Sequence, residues 1–381
     1  MGWVFSPVAV ENDKKWRKSN MKKYVALLLT LAMVLTLFAG CAGTTVVYYT
    51  DCTCPAENHN PAPKETQPVA EETEAPAVEE TQAPAAEGAV KTGLAIVAGV
   101  DATNATAEEA GAASFDVTLV GILVDDNGVI TDCAIDSIGT TVNYDTTGAV
   151  TSDVTAEVLT KNELGDNYNM VAFGGAIAEW YVQAEALAQY CVGKTLDEVL
   201  NGAIDESGYA ADADLAASAT INLYAYVNAI QAAYGNAVHL GAQAGDELVL
   251  TSLNSLADST ALNAQLNCDA VALTRNGDAI TSCYIDALQA KVAIDETGAA
   301  TVTNTKTKNE LGYDYGMVAY AQATYEWFEQ AASFGQYVTG KTAADVAGIA
   351  VSEGKATDAD LASSVTIAIG GFQALIAKAC Q

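Results

Sequence analysis

The sequence predicts an α+β protein made of two duplicated domains, each a mostly antiparallel β-sheet packed against helices. Three observations lead to this fold class. A set of short motifs occurs twice in the same order, about 150 residues apart. Each copy begins with alternating apolar segments joined by a tight-turn signal, and each copy ends with apolar residues at helical spacing. Strands followed by helices within one repeat are typical of α+β domains.

The duplication is clearest in two motifs. Residues 161–165, Lys-Asn-Glu-Leu-Gly, recur as residues 308–312, and the pair Glu179-Trp180 recurs as Glu326-Trp327. Both recurrences are separated by 147 positions. Because order and spacing both hold, and because the period is too long for a solenoid, we interpret the repeats as whole domains.

The strands are predicted from period-two alternation around a turn. In the first repeat, residues 117–123 alternate, Asp126-Asn127-Gly128 supplies a hairpin turn, and residues 129–135 return. The second repeat has the counterpart at residues 270–285. We expect a further strand near residues 142–144 and 291–294.

The helices are predicted from steps of three and four between apolar residues. The side chains expected to face the core are Ile177, Trp180, Ala184, Leu187 and Cys191 in the first repeat and Trp327, Ala331 and Phe334 in the second. A last amphipathic helix is expected to begin at Thr220 in one repeat and at Thr366 in the other.

The composition excludes several functions. The chain has 17 basic and 48 acidic residues, a net charge of −31, whereas nucleic-acid binding needs a basic surface. It has only two histidines, which argues against histidine-based catalysis and His-rich metal sites. No nucleophile, base and acid set is visible, so we assign no catalytic residue and no metal ligand.

The N-terminal part predicts export and lipid attachment. Two lysines after Met21, a short apolar stretch and the ending Leu-Phe-Ala-Gly-Cys41 form a signal peptide that resembles the bacterial lipobox. The resemblance implies cleavage before Cys41 and lipidation of its thiol, with the protein on the extracytoplasmic face of the cell membrane. An uncleaved membrane helix is the alternative, but the apolar stretch is short for one.

A tether is predicted between the anchor and the repeats. Pro, Glu, Ala and Thr dominate the segment that follows Cys41, and such a composition favours an extended chain without a core. The organisation is therefore a leader in residues 1–40, a stalk in 41–92, and repeats in 93–236 and 237–381.

One motif of each repeat suggests a binding site. An acid is followed six residues later by a threonine, with a serine between them: Asp214, Ser218 and Thr220, and then Asp360, Ser364 and Thr366. Hydroxyl groups at the first turn of a helix sit among free N–H groups, which favours a phosphate there. The same serines and threonines are also explained as simple N-caps, and the spacing leaves both interpretations open.

These residues resemble the bacterial FMN-binding domain, whose pattern is a hairpin followed far downstream by Asp-x-x-Ser-Gly-Ala-Thr. The Glu-Leu-Gly-x-x-Tyr-x-Met segment also resembles tandem flavin-bearing lipoproteins. The resemblance implies FMN attached by a phosphoester to Thr220 and Thr366, through a separate flavin transferase that uses FAD. Ser218 and Ser364 stand where the family has glycine, and Val365 stands where it has alanine.

The sequence thus predicts a cell-surface lipoprotein that carries FMN for extracellular electron transfer, with a membrane or surface redox partner and no nucleic acid. The chain would be at most an electron carrier rather than a conventional enzyme. The alternative is a flavin-free surface lipoprotein that acts as a ligand-binding, partner-binding or structural module. The flavin ring could lie beside Tyr168, Met170 or Trp180, and beside Tyr315, Met317 or Trp327, although aromatic residues on such a helix usually belong to the core. One lysine pair, Lys161 with Lys308 or Lys194 with Lys341, could meet the phosphate, but we expect these lysines to be solvated at the surface.

Overall fold

A computed structural model describes residues 88–381, which belong to one compact unit. The predicted leader, the lipidation site Cys41 and nearly all of the stalk lie outside these residues. We divide the described residues into a first half, 88–236, and a second half, 237–381.

Each half begins with an antiparallel sheet. The first sheet has the order β1 (Lys91–Thr103), β2 (Gly111–Val124) and β3 (Ile130–Tyr144). The second has the order β4 (Glu247–Ser255), β5 (Asn263–Asn276), β6 (Ala279–Ile294) and β7 (Ala300–Asn304). A short third sheet pairs β8 (Val351–Ser352) with β9 (Lys355–Ala356). Every strand pair in these sheets is antiparallel.

Helices follow the sheet in each half. Those of the first half are α1 (Lys161–Leu164), α2 (Met170–Gly174), α3 (Trp180–Cys191), α4 (Leu196–Gly202), α5 (Ala213–Ser218) and α6 (Tyr224–Gly235). Those of the second half are α7 (Lys308–Leu311), α8 (Met317–Ala321), α9 (Trp327–Val338), α10 (Ala343–Ala347), α11 (Ala359–Ala362) and α12 (Gly370–Ala379). One 3₁₀ turn follows α1 (Gly165–Tyr168) and another follows α7 (Gly312–Tyr315).

The predicted hairpin turn joins β2 to β3. Asp125 Oδ1 accepts hydrogen bonds from the N–H groups of Asn127 and Val129, at 2.9 and 2.8 Å. Gly128 adopts a positive φ of 79°, which glycine tolerates best. The further strands expected near residues 142–144 and 291–294 are wrong as separate elements, because both segments are the ends of the long strands β3 and β6.

The helices cover the outer face of each sheet. Residues Val120, Ile122 and Val124 of β2 belong to the cluster formed with α3 and α6. A matching cluster joins β5 and β6 to α9 and α12. Seven of the eight side chains expected to face the core are buried, as predicted. The prediction is wrong for Ile177, which is 57% exposed because it lies in the connection before α3 begins.

The inner faces of the two sheets pack against each other. One cluster takes Phe115, Val117 and Leu119 from β2 together with Leu266 and Leu288 from the second sheet. Strand β1 contacts β5, β6 and β7, while β4 contacts β2 and β3. The layers therefore run helices, sheet, sheet, helices, and both faces of β2 are apolar because both are covered.

A chain of buried hydroxyl groups crosses between the sheets. The Thr92 and Ser282 oxygens are 2.7 Å apart, and the Ser282 and Thr274 oxygens are also 2.7 Å apart. Buried hydroxyl groups need such partners, so this chain fixes the position of β1 against β6. The described part of the protein is thus an α+β structure of mostly antiparallel sheets packed with helices.

Candidate functional site

The threonine of each motif lies in an extended connection rather than at a helix start. Helix α5 is capped by Asp212, whose Oδ1 accepts from the N–H groups of Asp214 and Leu215. It ends at Ser218, and Ala219 then has extended backbone angles of −132° and 112°. Helix α6 begins only at Tyr224, four residues after Thr220.

The second half departs from the prediction in the same way. Helix α12 begins at Gly370, four residues after Thr366. Ser364 donates its hydroxyl to the carbonyl of Leu361 rather than capping a helix. The expectation that Thr220 and Thr366 open the last helices is therefore wrong, and so is the interpretation of the four hydroxyl residues as N-caps.

A buried glutamine holds the connection that carries Thr220. Gln183 of α3 is fully buried, and its Oε1 accepts the N–H of Thr220 at 2.8 Å and the N–H of Ile221 at 3.2 Å. The Thr220 hydroxyl donates to the same oxygen at 3.3 Å. Gln183 Nε2 donates to the carbonyl of Ala178 at 2.8 Å, which fixes the orientation of the amide. These bonds satisfy two backbone donors of the connection and hold it against α3.

The same arrangement occurs in the second half. Gln330 is fully buried, and its Oε1 accepts from the N–H groups of Thr366 and Ile367 at 2.8 and 3.1 Å. The Thr366 hydroxyl donates to it at 3.2 Å, and Gln330 Nε2 donates to the carbonyl of Tyr325 at 2.9 Å. Sequence reasoning missed both glutamines, although each is a polar residue three positions after the repeated tryptophan.

The other predicted site residues do not converge on the threonines. Asp214, Ser218 and Asp360 are exposed, while Ser364 is half-buried. Asp214 and Asp360 contribute backbone N–H groups to the caps of α5 and α11. The structure therefore brings each threonine together with its glutamine and not with its motif acid.

The site is better suited to a phosphoester bond at the threonine oxygen than to a phosphate held by backbone N–H groups. Thr220 is exposed and Thr366 half-buried, so each hydroxyl oxygen can be reached from solvent. The N–H groups of Thr220 and Ile221 are already used by Gln183, so they cannot also hold a phosphate. Cavities of about 320 to 560 Å³ lie elsewhere and are lined by neither threonine.

A lysine lies between two aromatic rings in each half. Lys161 Nζ is 5.3 Å from the ring centre of Tyr168 and 5.2 Å from that of Trp180. Burial lowers the pKa of Lys161, and Asp116 opposes this change. Cation–π contacts of this length are favourable, more so when the cation is partly desolvated. The lysine is half-buried, so the expectation of a solvated surface residue is wrong.

The second half repeats this cluster with different acids. Lys308 Nζ is 5.3 Å from the ring centre of Tyr315 and 4.6 Å from that of Trp327. Burial lowers the pKa of Lys308, while Asp269 and Asp286 oppose that effect. Burial raises the pKa of Asp269, against the effect of Lys308. Lys308, Tyr315, Trp327 and Asp269 are called the second lysine cluster below.

A buried aspartate holds the Lys-Asn-Glu-Leu helix of each half. Asp286 Oδ1 accepts the N–H of Asn309 at 3.1 Å and that of Ala287 at 2.7 Å. Burial raises the pKa of Asp286 to about 6, although a hydrogen bond from Thr307 lowers it in part. Asp136 holds α1 in the same way and also has a pKa raised by burial.

Two short helices present an aromatic side chain to solvent. Glu179 accepts the first N–H groups of α2, and Glu326 accepts those of α8, at 2.8 to 3.0 Å. Phe173 of α2 and Tyr320 of α8 are each 88% exposed. The repeated buried glutamate keeps these exposed rings on an ordered helix.

No family profile, characterised protein or solved structure matches the chain. Within residues 88–381, no group of three or more His, Cys, Asp or Glu side chains is placed to bind a metal ion. None of the helices in that range combines the length and apolar character required to span a bilayer.

Proposed function

We propose that this protein is a tandem FMN carrier anchored by lipid to the extracytoplasmic face of the cell membrane. The observation that carries the proposal is the identical support of two accessible threonines by two buried glutamines. Thr220 with Gln183 and Thr366 with Gln330 make the same three hydrogen bonds, with lengths that agree within 0.1 Å.

The two halves are best understood as duplicated FMN-binding-like domains. Both contain the hairpin, the Lys-Asn-Glu-Leu helix, the exposed aromatic helix, the tryptophan helix and the threonine connection, in that order. The Lys-Asn-Glu-Leu helix, the exposed aromatic helix and the threonine connection are each held by the same kind of buried polar residue in both halves. Because these details agree in both halves, we favour duplication of a complete functional domain over repetition of the fold without its site.

The geometry gives each threonine a hydroxyl suited to ester formation. Because the Thr220 hydroxyl donates to Gln183, its lone pairs are directed away from that amide. In the proposed attachment, Oγ1 forms the bond to the FMN phosphorus, AMP leaves from FAD, and the transferase takes the hydroxyl proton. Neither half needs a catalytic side chain of its own, since a bound flavin would supply the redox chemistry.

The charge of the chain agrees with a role at a surface and with a redox partner rather than a nucleic acid. A net charge of −31 opposes non-specific contact with anionic polymers and anionic lipid headgroups. Attachment through Cys41 would hold the protein at the membrane despite that charge. The exposed Phe173 and Tyr320 would then be available to a membrane or surface redox partner.

The attachment is tested by coexpression with a flavin transferase and mass spectrometry of the purified chain. Two additions of one FMN each are expected on peptides that contain Thr220 and Thr366. Thr220→Val should remove one addition and Thr366→Val the other, whereas Thr220→Ser should keep its flavin. An unmodified wild-type chain, or full loading of both valine variants, would contradict the assigned acceptors.

The lipid anchor is tested separately. Cys41→Ser should abolish incorporation of a radioactive fatty acid, because it removes the thiol that would carry the lipid. The wild-type chain should be labelled under the same conditions. A Cys41→Ser chain that is labelled as strongly as the wild type would exclude this anchor.

The alternative function, a flavin-free ligand-binding module, is favoured by one observation. The second lysine cluster borders a cavity whose opposite charges are not joined to each other. This feature has no role in flavin attachment, and a chain without flavin would retain it.

A further inference from the structure

A cavity of about 350 Å³ lies at one end of the second sheet, beside the second lysine cluster. Its volume is within the range of small-molecule sites, which hold about 300 to 1,000 Å³. The residues that line it are Leu253, Asn254, Ser255, Asn267, Asp269, Gln289 and Lys308. Apart from Leu253 they are polar, so the cavity suits a polar ligand.

Two opposite charges border this cavity without closing on each other. Lys308 and Asp269 are half-buried, and neither takes part in an ion pair with any residue of 88–381. Lys308 is held by the rings of Tyr315 and Trp327 instead. Partly desolvated opposite charges attract each other strongly. Because Lys308 and Asp269 are not paired with each other, each can bind a group of opposite charge on a ligand.

A third polar group lacks a partner at the same place. The Nδ2 of Asn254 donates to the carbonyl of Val158 at 3.2 Å, which fixes the orientation of the amide. The Oδ1 of Asn254 is buried and accepts no hydrogen bond from the described residues. A buried acceptor without a donor is costly, and the residue that carries it also lines the cavity.

We propose that this cavity binds a polar α-amino acid in its zwitterionic form. The carboxylate lies at Lys308 Nζ, the ammonium lies at Asp269, and a polar side chain meets Asn254 and Gln289. A zwitterion has no net charge, so the strongly acidic protein does not repel it as it would repel an anion. This binding is independent of the proposed flavin attachment.

The first half supplies a natural comparison. Leu119 faces Asp136 across β2 and β3, and Ala270 faces Asp286 across β5 and β6, so these positions correspond. By that register, Ala98 stands in place of Asn254, and Gly139 in place of Gln289. The first half keeps Lys161 but lacks both amides, and by the same register Thr118 stands in place of Asp269. We therefore place the amino-acid site in the second half alone.

Calorimetry on the purified full chain tests the proposal with probes that lose one charge at a time. L-Glutamine is expected to bind, because its side-chain amide can both donate and accept. N-acetyl-L-glutamine lacks the ammonium, and L-glutamine amide lacks the α-carboxylate. Each should bind about 10- to 100-fold more weakly, the loss expected for one charge-assisted hydrogen bond.

Two variants assign the charges to residues. Lys308→Met keeps the apolar stem on Trp327 and should remove the preference for L-glutamine over its amide. Asp269→Asn should remove the preference over the N-acetyl derivative. The matched control, Lys161→Met, should change neither preference, although it removes the equivalent cation from the first half.

Three results would overturn the proposal. L-Glutamine that binds no more tightly than about 10 mM would show that the separated charges are structural. Equal binding of L-glutamine and its N-acetyl derivative would indicate a simple anion site. Unchanged preferences in Lys308→Met and Asp269→Asn would place the ligand elsewhere. The wild-type titrations need no variant, so a variant that fails to fold cannot hide the outcome.

Discussion

Replacing Gln183 with leucine should release the connection that carries Thr220. The substitution keeps an apolar side chain of similar size in a fully buried position. It removes one acceptor shared by the N–H groups of Thr220 and Ile221 and by the Thr220 hydroxyl. It also leaves the carbonyl of Ala178 without its side-chain donor.

The magnitude follows from which of these groups can reach water. Thr220 is exposed, so its two donors can bond to solvent at little cost. Ile221 and Ala178 are half-buried, and each polar group left without a partner there costs about 1–3 kcal/mol. Burial of the leucine side chain offsets part of this loss. We expect Gln183→Leu to lower the free energy of unfolding by about 2–4 kcal/mol.

Urea unfolding followed by tryptophan fluorescence measures this change, since Trp180 lies one helical turn from Gln183. Gln189→Leu is the matched control, because Gln189 is exposed on the same helix and should change stability by less than about 0.5 kcal/mol. Thr220→Val removes the hydroxyl that donates to Gln183 but should leave the two backbone bonds to Gln183 intact. Gln330→Leu should reproduce the effect in the second half.

A Gln183→Leu chain within about 0.5 kcal/mol of wild type would refute the reasoning. It would mean that the connection is held by its apolar neighbours and not by the amide. In the coexpression experiment, Gln183→Leu should also reduce flavin on Thr220 while the second half remains loaded.

The remaining predictions concern pH, exposed rings and the shared core. The folded-state pKa of Asp286 is raised to about 6, so this residue should lower the free energy of unfolding by about 2 kcal/mol as the pH rises from about 4 to about 6. Asp286→Asn should flatten that slope in urea titrations, and a slope that persists would contradict the assignment. Phe173→Ser and Tyr320→Ser should leave the melting temperature unchanged, because both rings are 88% exposed, and a large decrease would show that they pack against unseen residues. Residues 88–236 expressed alone should self-associate in light scattering, because their sheet loses its apolar cover, and a stable monomer would argue against the face-to-face packing.

Sequence patterns predicted the elements whose cause is local. Alternation around Asp126-Asn127-Gly128 located the first hairpin, and steps of three and four from Trp180 identified the buried face of α3. These signals depend on burial and turn chemistry, which neighbouring residues determine.

The threonine connection could not be predicted in this way, because its cause is distant in the chain. Gln183 lies 37 residues before Thr220, and no local rule indicates that a side-chain amide will take two backbone donors. The position of each glutamine in the sequence was the one signal that could have been used. A glutamine three residues after each repeated tryptophan interrupts an apolar face, and a buried polar residue at the same place in both repeats suggests a structural hydrogen bond.

The lysine clusters were missed for a different reason. Lys161 and Lys308 were expected at the surface because charged residues usually are, yet each lies over the tryptophan 19 positions later in the chain. Three-dimensional packing brings the 3₁₀ turn and the next helix over the same ammonium. That neighbourhood is set by the fold and not by spacing along the chain.

The contacts between the two sheets have the reciprocity of a twofold axis. Strand β1 of the first sheet contacts β6 of the second, and the equivalent strand β4 of the second sheet contacts β3 of the first. The central strands β2 and β5 contact each other. On the proposed duplication, Gly121 and Ala272 are equivalent positions, and a Cβ built on Gly121 would lie 3.4 Å from that of Ala272. Residues that meet their own counterparts mark an isologous interface. The ancestor would then have been a homodimer of single modules, and fusion of its genes would have freed each copy to change separately, as the unequal surroundings of Lys161 and Lys308 indicate.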